Sequence, residues 1–170
     1  MNISLLQPFT LFTPEQCQSI MCRAQGLEQH QGRVMGWDPQ RESRNNAVYW
    51  LDITEEESDR LWELARPWHE EYQLTWFQKP VQISCYRTGE YYGWHRDTYD
   101  NEGRKSVRSL TLTCTLQAAA GAVFETEAGE FDLKAGEAVF MPSNMRHRAT
   151  PPIDGERWSL TIWYMKPNVI

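Results

Sequence analysis

The 170-residue sequence has no apolar run approaching the ~18 residues that a membrane-spanning helix requires. Its opening residues, Met1-Asn2-Ile3-Ser4-Leu5-Leu6, hold no lysine or arginine ahead of their short apolar stretch. The charged n-region of a secretory signal is therefore missing. These two absences lead to the expectation of a soluble, cytoplasmic protein with no membrane partner. An excess of basic charge is also missing: 17 Lys and Arg face 23 Asp and Glu, for a net charge of −6. Phosphate binding is dominated by neutralising Lys and Arg, so nucleic acid is not expected as a partner, although a local basic groove remains compatible with this balance. The four cysteines, Cys17, Cys22, Cys85 and Cys114, form no C-x-x-C pair. Two of them sit in apolar, strand-like stretches, and reduced core thiols are expected rather than disulfides or a zinc site. There is no internal repeat and no low-complexity segment.

What is present fits one globular domain over residues 1–170. The pattern divides it into a helical and loop support region, 1–78, and a β-rich core, 79–167. Thr13-Pro14-Glu15-Gln16 reads as a helix start, with a capping threonine, proline at the first helical position and glutamine closing a capping box. Cys17, Ile20, Met21, Ala24 and Leu27 follow at helical spacing. Residues 30–46 read as a long polar loop, and Ala47–Leu51 as a short strand. Thr54 to Glu57 forms a second capping box. Leu61, Leu64, Ala65, Trp68 and Tyr72 give the helix behind it one apolar face, with Pro67 kinking or ending it. From Val81 the period falls to two. Val81, Ile83 and Cys85 alternate with polar residues, as do Leu110, Leu112, Cys114 and Leu116. Further short strands are expected around 122–126, 130–133, 137–141 and 147–150, with a last one over 157–165. Many short antiparallel strands predict a sandwich or jelly roll with the N-terminal helices packed outside. Trp50, Trp62, Trp68 and Trp76 are expected to pack between those helices and the barrel.

His95-Arg96-Asp97 is the first feature with chemical content. Residues i and i+2 of an extended chain project to one side, so an imidazole and a carboxylate can meet at one point. Two histidines and one carboxylate form the facial triad of non-haem Fe(II) oxygenases, with open positions left for reactants. Of the four histidines, His30 lies in the polar loop and His69 on the second helix. His147, 50 residues beyond Asp97 in the strand region, is the best third ligand. On the last strand Arg157, Ser159, Thr161 and Trp163 share one face. An arginine facing inward needs an anionic partner, and a bidentate carboxylate is the natural one.

At these residues the sequence resembles a known family. Tyr86, Gly89, Tyr92, His95 and Asp97 fit Y-x-x-G-x-x-Y-x-x-H-x-D. This is similar to the metal-binding signature of the prolyl 4-hydroxylase-like branch of the 2-oxoglutarate- and Fe(II)-dependent dioxygenases. Leu133, Gly136, Ala138, Pro142-Ser143, His147, Pro151, Gly155, Arg157 and Ser159 continue the resemblance, which covers about residues 81–166. Gly121-Ala122 departs from the double glycine that relatives often carry there. The resemblance implies a mostly β fold with N-terminal helices around a double-stranded β-helix, the jelly-roll or cupin-like core. It implies that His95, Asp97 and His147 hold Fe(II) as the catalytic set. Arg157 would bind the distal carboxylate of 2-oxoglutarate, with Tyr86, Ser159 or Thr161, and Trp163 near the same co-substrate. The implied cofactors are Fe(II), 2-oxoglutarate and O2, with ascorbate as a reductant. The implied reaction hydroxylates an aliphatic carbon while 2-oxoglutarate is converted to succinate and CO2.

The substrate is less determined. Tyr91, Trp94, Arg96 and Tyr99 cluster in sequence around the first two ligands, and Arg146 and Arg148 flank His147. These six are candidates for a basic, aromatic mouth. The resemblance favours a peptide or protein substrate hydroxylated at proline. A free amino acid or other small molecule, and a catalytically silent metal-binding sensor on the same barrel, are alternatives. An oxidative nucleic-acid demethylase stands behind these, because Ser84 occupies the place of that group's asparagine and no arginine follows Arg157.

Overall fold

The computed structural model describes residues 3–33, 43–98 and 104–168. The two capping boxes form as the sequence dictates. Thr13 accepts from the Gln16 backbone N–H and opens α1 (Pro14–Gln25), while Thr54 does the same from Glu57 and opens α2 (Glu55–Leu64). Cys17, Ile20, Met21 and Ala24 form the buried stripe of α1. The second helix ends at Leu64, and a short 3-10 turn over Arg66–Trp68 follows. Pro67 explains the stop, since it lacks an N–H and its ring clashes with the preceding turn. Trp68 still reaches the core.

The described residues form twelve strands: β1 (Phe9–Thr10), β2 (His30–Gln31), β3 (Ala47–Leu51), β4 (Trp76–Phe77), β5 (Val81–Tyr86), β6 (Tyr92–His95), β7 (Ser106–Gln117), β8 (Phe124–Thr126), β9 (Gly129–Phe131), β10 (Glu137–Pro142), β11 (His147–Ala149) and β12 (Arg157–Pro167). They build a large sheet in the order β1-β10-β7-β12-β5-β3-β2, with β4 also paired to β12. A second sheet has the order β6-β11-β8-β9. All pairings are antiparallel. The result is a mostly β double-stranded β-helix with both described helices in the N-terminal part of the chain, the jelly roll that the pattern allowed and the resemblance implied. The sheets extend beyond the sequence reading in one respect: β1, β2, β3 and β4 from the first 78 residues all join the large sheet.

The period-two patterns decide what each face of the large sheet does. Val81, Ile83, Cys85, Leu110, Leu112, Cys114, Leu116, Trp158, Leu160, Ile162 and Tyr164 face one core together with the helices. Their alternating neighbours Gln82, Tyr86, Thr111, Thr113, Arg157, Ser159, Thr161 and Trp163 face the space between the sheets. β10 obeys the same rule. Ala138 and Phe140 join the helical core, whereas Val139 and Met141 pack with Phe124 and Leu133 between the sheets. A one-residue slip of β12 would exchange these two sets, so burial on one side pins the polar set on the other. Gly136 secures the β1 edge. Its φ is +86° and a Cβ there would lie 2.1 Å from the Phe12 carbonyl oxygen. Only glycine fits this close approach.

Two tryptophans depart from the packing expected of them. Trp76 is 44% exposed. Trp50 points away from the helices, because its register partner on β5 is Gln82, on the cavity side. Trp62 and Trp68 pack at the helical core as expected.

Candidate active site

The site is assembled by strand register. β6 and β11 pair so that His95 and His147 stand directly opposite each other. Each imidazole Nδ1 lies against a backbone carbonyl two residues earlier in the chain, Gly93 at 2.8 Å and Met145 at 2.9 Å. An Nδ1–H donating to that carbonyl leaves Nε2 as the free lone pair, the tautomer a metal ligand needs. Both Nε2 atoms lie 3.6 Å from Oδ1 of Asp97.

Asp97 sits just past the end of β6. Its backbone N–H and that of Thr98 both donate to the Ser143 carbonyl, each at 2.9 Å. The Thr111 hydroxyl donates to Asp97 Oδ2 at 2.8 Å and lies 2.8 Å from the Ser143 hydroxyl. One carboxylate oxygen is thus tethered and the other faces the imidazoles. The three donor atoms fall within 4.8 Å of one another, and all three residues are buried. Burial would raise the Asp97 carboxyl, but His147 and His95 outweigh it and hold the group well below the ordinary carboxylate range. Burial, reinforced by His147, pushes His95 down to about 4. Burial also opposes charge on His147, yet Asp97 prevails and raises it. A buried carboxylate beside two imidazoles with outward-tied Nδ1 atoms fits a divalent cation, and the two-histidine, one-carboxylate set is the one that suits Fe(II).

A small cavity of about 40 Å³ adjoins the triad between the sheets. Arg157 lines it and is only 3% exposed. Its hydrogen-bond partner is Thr115 Oγ1 at 3.4 Å, and its guanidinium lies 5.7 Å from the Tyr86 ring centre. No carboxylate among the described residues forms an ion pair with it. Burial lowers its pKa. A buried cation in this state needs an anion from outside, and a bidentate carboxylate satisfies its geometry. Tyr86, Ser159, Thr161 and Trp163 line the same cavity.

A larger cavity of about 360 Å³ also reaches Asp97. Arg96, Arg108, Trp50 and Trp163 line it, together with a stack that ends on the metal site. The Arg44 guanidinium lies 4.0 Å over the Tyr92 ring, and that ring lies 3.4 Å from the His95 ring at an interplanar angle of 4°.

The structure sorts the six mouth candidates. Arg96 lines the larger cavity and Arg148 the smaller one. Trp94 and Arg146 line neither; Trp94 has the Arg148 and Arg146 guanidinium groups 4.9 and 5.5 Å from its ring centre. Tyr91 also lines neither, and its hydroxyl meets Ser43 Oγ at 2.7 Å. Tyr99 lies outside the described residues. Sequence reasoning gave no role to Tyr92, Thr111, Ser143 or Arg44. The signal for Tyr92 was present, since it is the second tyrosine of the Y-x-x-G-x-x-Y pattern.

Comparison with known proteins agrees with this geometry. The family model described as the 2OG-Fe(II) oxygenase superfamily matches residues 81–165. A PKHD-type hydroxylase of Synechococcus sp. (strain CC9605) is 33% identical over 90 residues, which is 48% of this chain and 39% of that protein. The match therefore spans well under half of that relative's length. Among solved structures, the viral collagen prolyl hydroxylase of Paramecium Bursaria Chlorella virus-1, in its 2OG complex, superposes with a TM-score of 0.72 at 20% identity. That alignment covers 94% of this chain and 95% of the viral one. A Pseudomonas putida prolyl-4-hydroxylase gives 0.74 at 17% identity, covering 95% and 92%. At these identities the two structures speak for the fold. The family match takes in His95, Asp97, His147, Arg157 and the strands that align them, and the chain belongs to the 2OG-Fe(II) oxygenase superfamily.

Proposed function

We propose that this chain is an Fe(II)- and 2-oxoglutarate-dependent hydroxylase that inserts oxygen into an aliphatic C–H bond of a peptidyl proline. The observation that carries the proposal is Arg157, a buried guanidinium with no carboxylate partner among the described residues, set in the cavity that adjoins the triad. His95, Asp97 and His147 would hold the iron, which supplies dioxygen activation and removal of the substrate hydrogen. Arg157 anchors the far carboxylate of 2-oxoglutarate, and Tyr86 on the neighbouring β5 closes the cavity beside it. Thr111 fixes Asp97 by Oδ2, which leaves Oδ1 toward the two imidazoles as the oxygen that would hold the iron. The wall of β12 and β7 residues around the anchor excludes bulk water. The balance is 2-oxoglutarate plus O2 plus R–H giving succinate, CO2 and R–OH. The proline assignment draws on the prolyl hydroxylase neighbours and on a cavity beside the triad lined by Tyr92, Trp50 and Trp163.

The test is anaerobic addition of Fe(II) and 2-oxoglutarate to the purified chain, followed by visible spectroscopy. A weak charge-transfer band is expected, absent in His147→Ala and weakened in Arg157→Ala. No band in folded protein with iron present overturns the co-substrate assignment. With proline-containing peptides and O2, 2-oxoglutarate should then yield succinate in equal amount to the hydroxylated peptide.

A further inference from the structure

The larger cavity is cationic in an acidic protein. The chain carries a net charge of −6, yet Arg33, Arg44, Arg96, Arg108 and His30 line this one space. Its only carboxylate among the described residues is Asp97, which is buried and tied to Thr111 and the histidines. Arg44 is the informative member. Its Nε donates to Asn46 Oδ1 and its face covers Tyr92, while its Nη2 is buried with no hydrogen-bond partner among the described residues. A buried guanidinium nitrogen left open is costly and is satisfied by an anionic acceptor. Gly32 makes room for this placement, since a Cβ there would lie 2.5 Å from Arg44 Nε.

The shape of the wall says what carries the anion. His30, Gln31, Gly32 and Arg33 line the cavity as one continuous run of the chain. β2 lies at the end of the large sheet, pairs with β3 alone among the described strands, and has both residues exposed. An open sheet edge offers backbone N–H and C=O groups to an extended chain, which a free amino acid would leave unused.

We infer that the larger cavity binds an acidic peptide, laid along β2 with a carboxylate side chain on Arg44 and Arg33 beside the residue that faces the metal. This names a substrate class for the hydroxylase reading and rests on that reading only for what happens to the peptide. Binding itself needs neither iron nor turnover, so the two can fail separately.

The experiment measures binding of capped pentapeptides to the metal-free chain, by calorimetry and by tryptophan fluorescence, since Trp50 and Trp163 line the cavity. The probes are Gly-Glu-Pro-Glu-Gly, its Gln and Lys counterparts, and free glutamate. The glutamate peptide should bind at least about tenfold tighter than the other three and weaken with salt. Arg44→Ala and Arg33→Glu should each reduce that affinity by about tenfold. Arg33 is exposed, so its reversal does not threaten folding, and Arg44→Lys should recover only part of the loss. Equal binding of the Gln or Lys peptide overturns the charge assignment. Free glutamate binding as tightly as the peptide overturns the role of β2. Tight peptide binding without any iron and 2-oxoglutarate band supports the cavity and counts against the hydroxylase alone.

Discussion

Thr111 donates its hydroxyl proton to Oδ2 of Asp97 across 2.8 Å and thereby selects which carboxylate oxygen is left for a metal. Both residues are buried, at 0% and 5% exposure, so no solvent can take over the role. Thr111→Val keeps the shape of the side chain and removes the donor. We expect divalent-metal affinity to fall by about 10–100-fold, the usual effect of losing a hydrogen bond to a ligating group. The fold should lose about 1–3 kcal/mol, because the Ser143 hydroxyl is stranded as well. A competition titration with a metal indicator and a urea melt measure the two effects. Unchanged affinity would show that Asp97 is oriented by its backbone alone.

Arg157 should behave in opposite ways with and without an anion. In the free chain it is a buried charge whose hydrogen bond is a long one to Thr115. Arg157→Met fills a similar volume without that charge, and the free protein should be equally stable or more stable. Saturating 2-oxoglutarate, at about 100 times its Kd, should stabilise the native sequence by about 2.7 kcal/mol and the variant not at all. For a chain of this size that corresponds to about 2–4 °C in Tm per kcal/mol. Thermal melts with and without 2-oxoglutarate give all four values. A free variant that melts well below the native protein would mean that Arg157 has a partner within the fold.

Glu57 ties the two helices together and responds to acid. It closes the α2 capping box and pairs with Arg23 of α1 at 2.6 Å. Burial raises its carboxyl, but the Arg23 guanidinium and the Thr54 backbone N–H prevail and lower it below 4.5. A carboxylate whose folded pKa is depressed stabilises the fold above its unfolded pKa and loses that contribution as pH falls through the folded value. Glu57→Gln preserves the cap but not the ion pair. Both side chains are about a third exposed, so the difference at pH 7 should be modest, about 0.5–1 kcal/mol. It should disappear once the pH is well below 4.5. Denaturant melts at neutral and acid pH check this, and a difference that persists in acid would assign the effect to the cap.

The large-sheet strands were readable because one buried face forces a strict alternation, as in Leu110 to Leu116 and Trp158 to Tyr164. The triad was readable because its residue types are rare in this chain and their spacing matched a known pattern. β1, β2 and β4 were not, since two residues cannot display a period. Trp94 illustrates a different limit. It adjoins His95 in sequence, but neighbouring residues of a strand point to opposite faces, and proximity along the chain put it away from the cavities. Arg44 and Trp50 gave no local sign of their position. Trp50 reaches the cavity through the pairing of β3 with β5 and Arg44 through a bridge to Tyr92, long-range contacts that no local pattern encodes.

The pairing of β3 beside β5 divides labour along the chain. Every donor of the triad, and Arg157, falls within residues 81–165, while His30, Gln31, Gly32, Arg33, Arg44 and Trp50 all come earlier. One wall of the larger cavity therefore has its own address in the sequence, while Tyr92, Arg96, Arg108 and Trp163 bring the facing wall from the later half. On the proposed reading that earlier wall can drift while the triad stays fixed, because a changed residue on β2 leaves His95, Asp97, His147 and the Thr111 tether in place. Two chains sharing the later half would then run one chemistry on different molecules, with part of their tastes written in the earlier half.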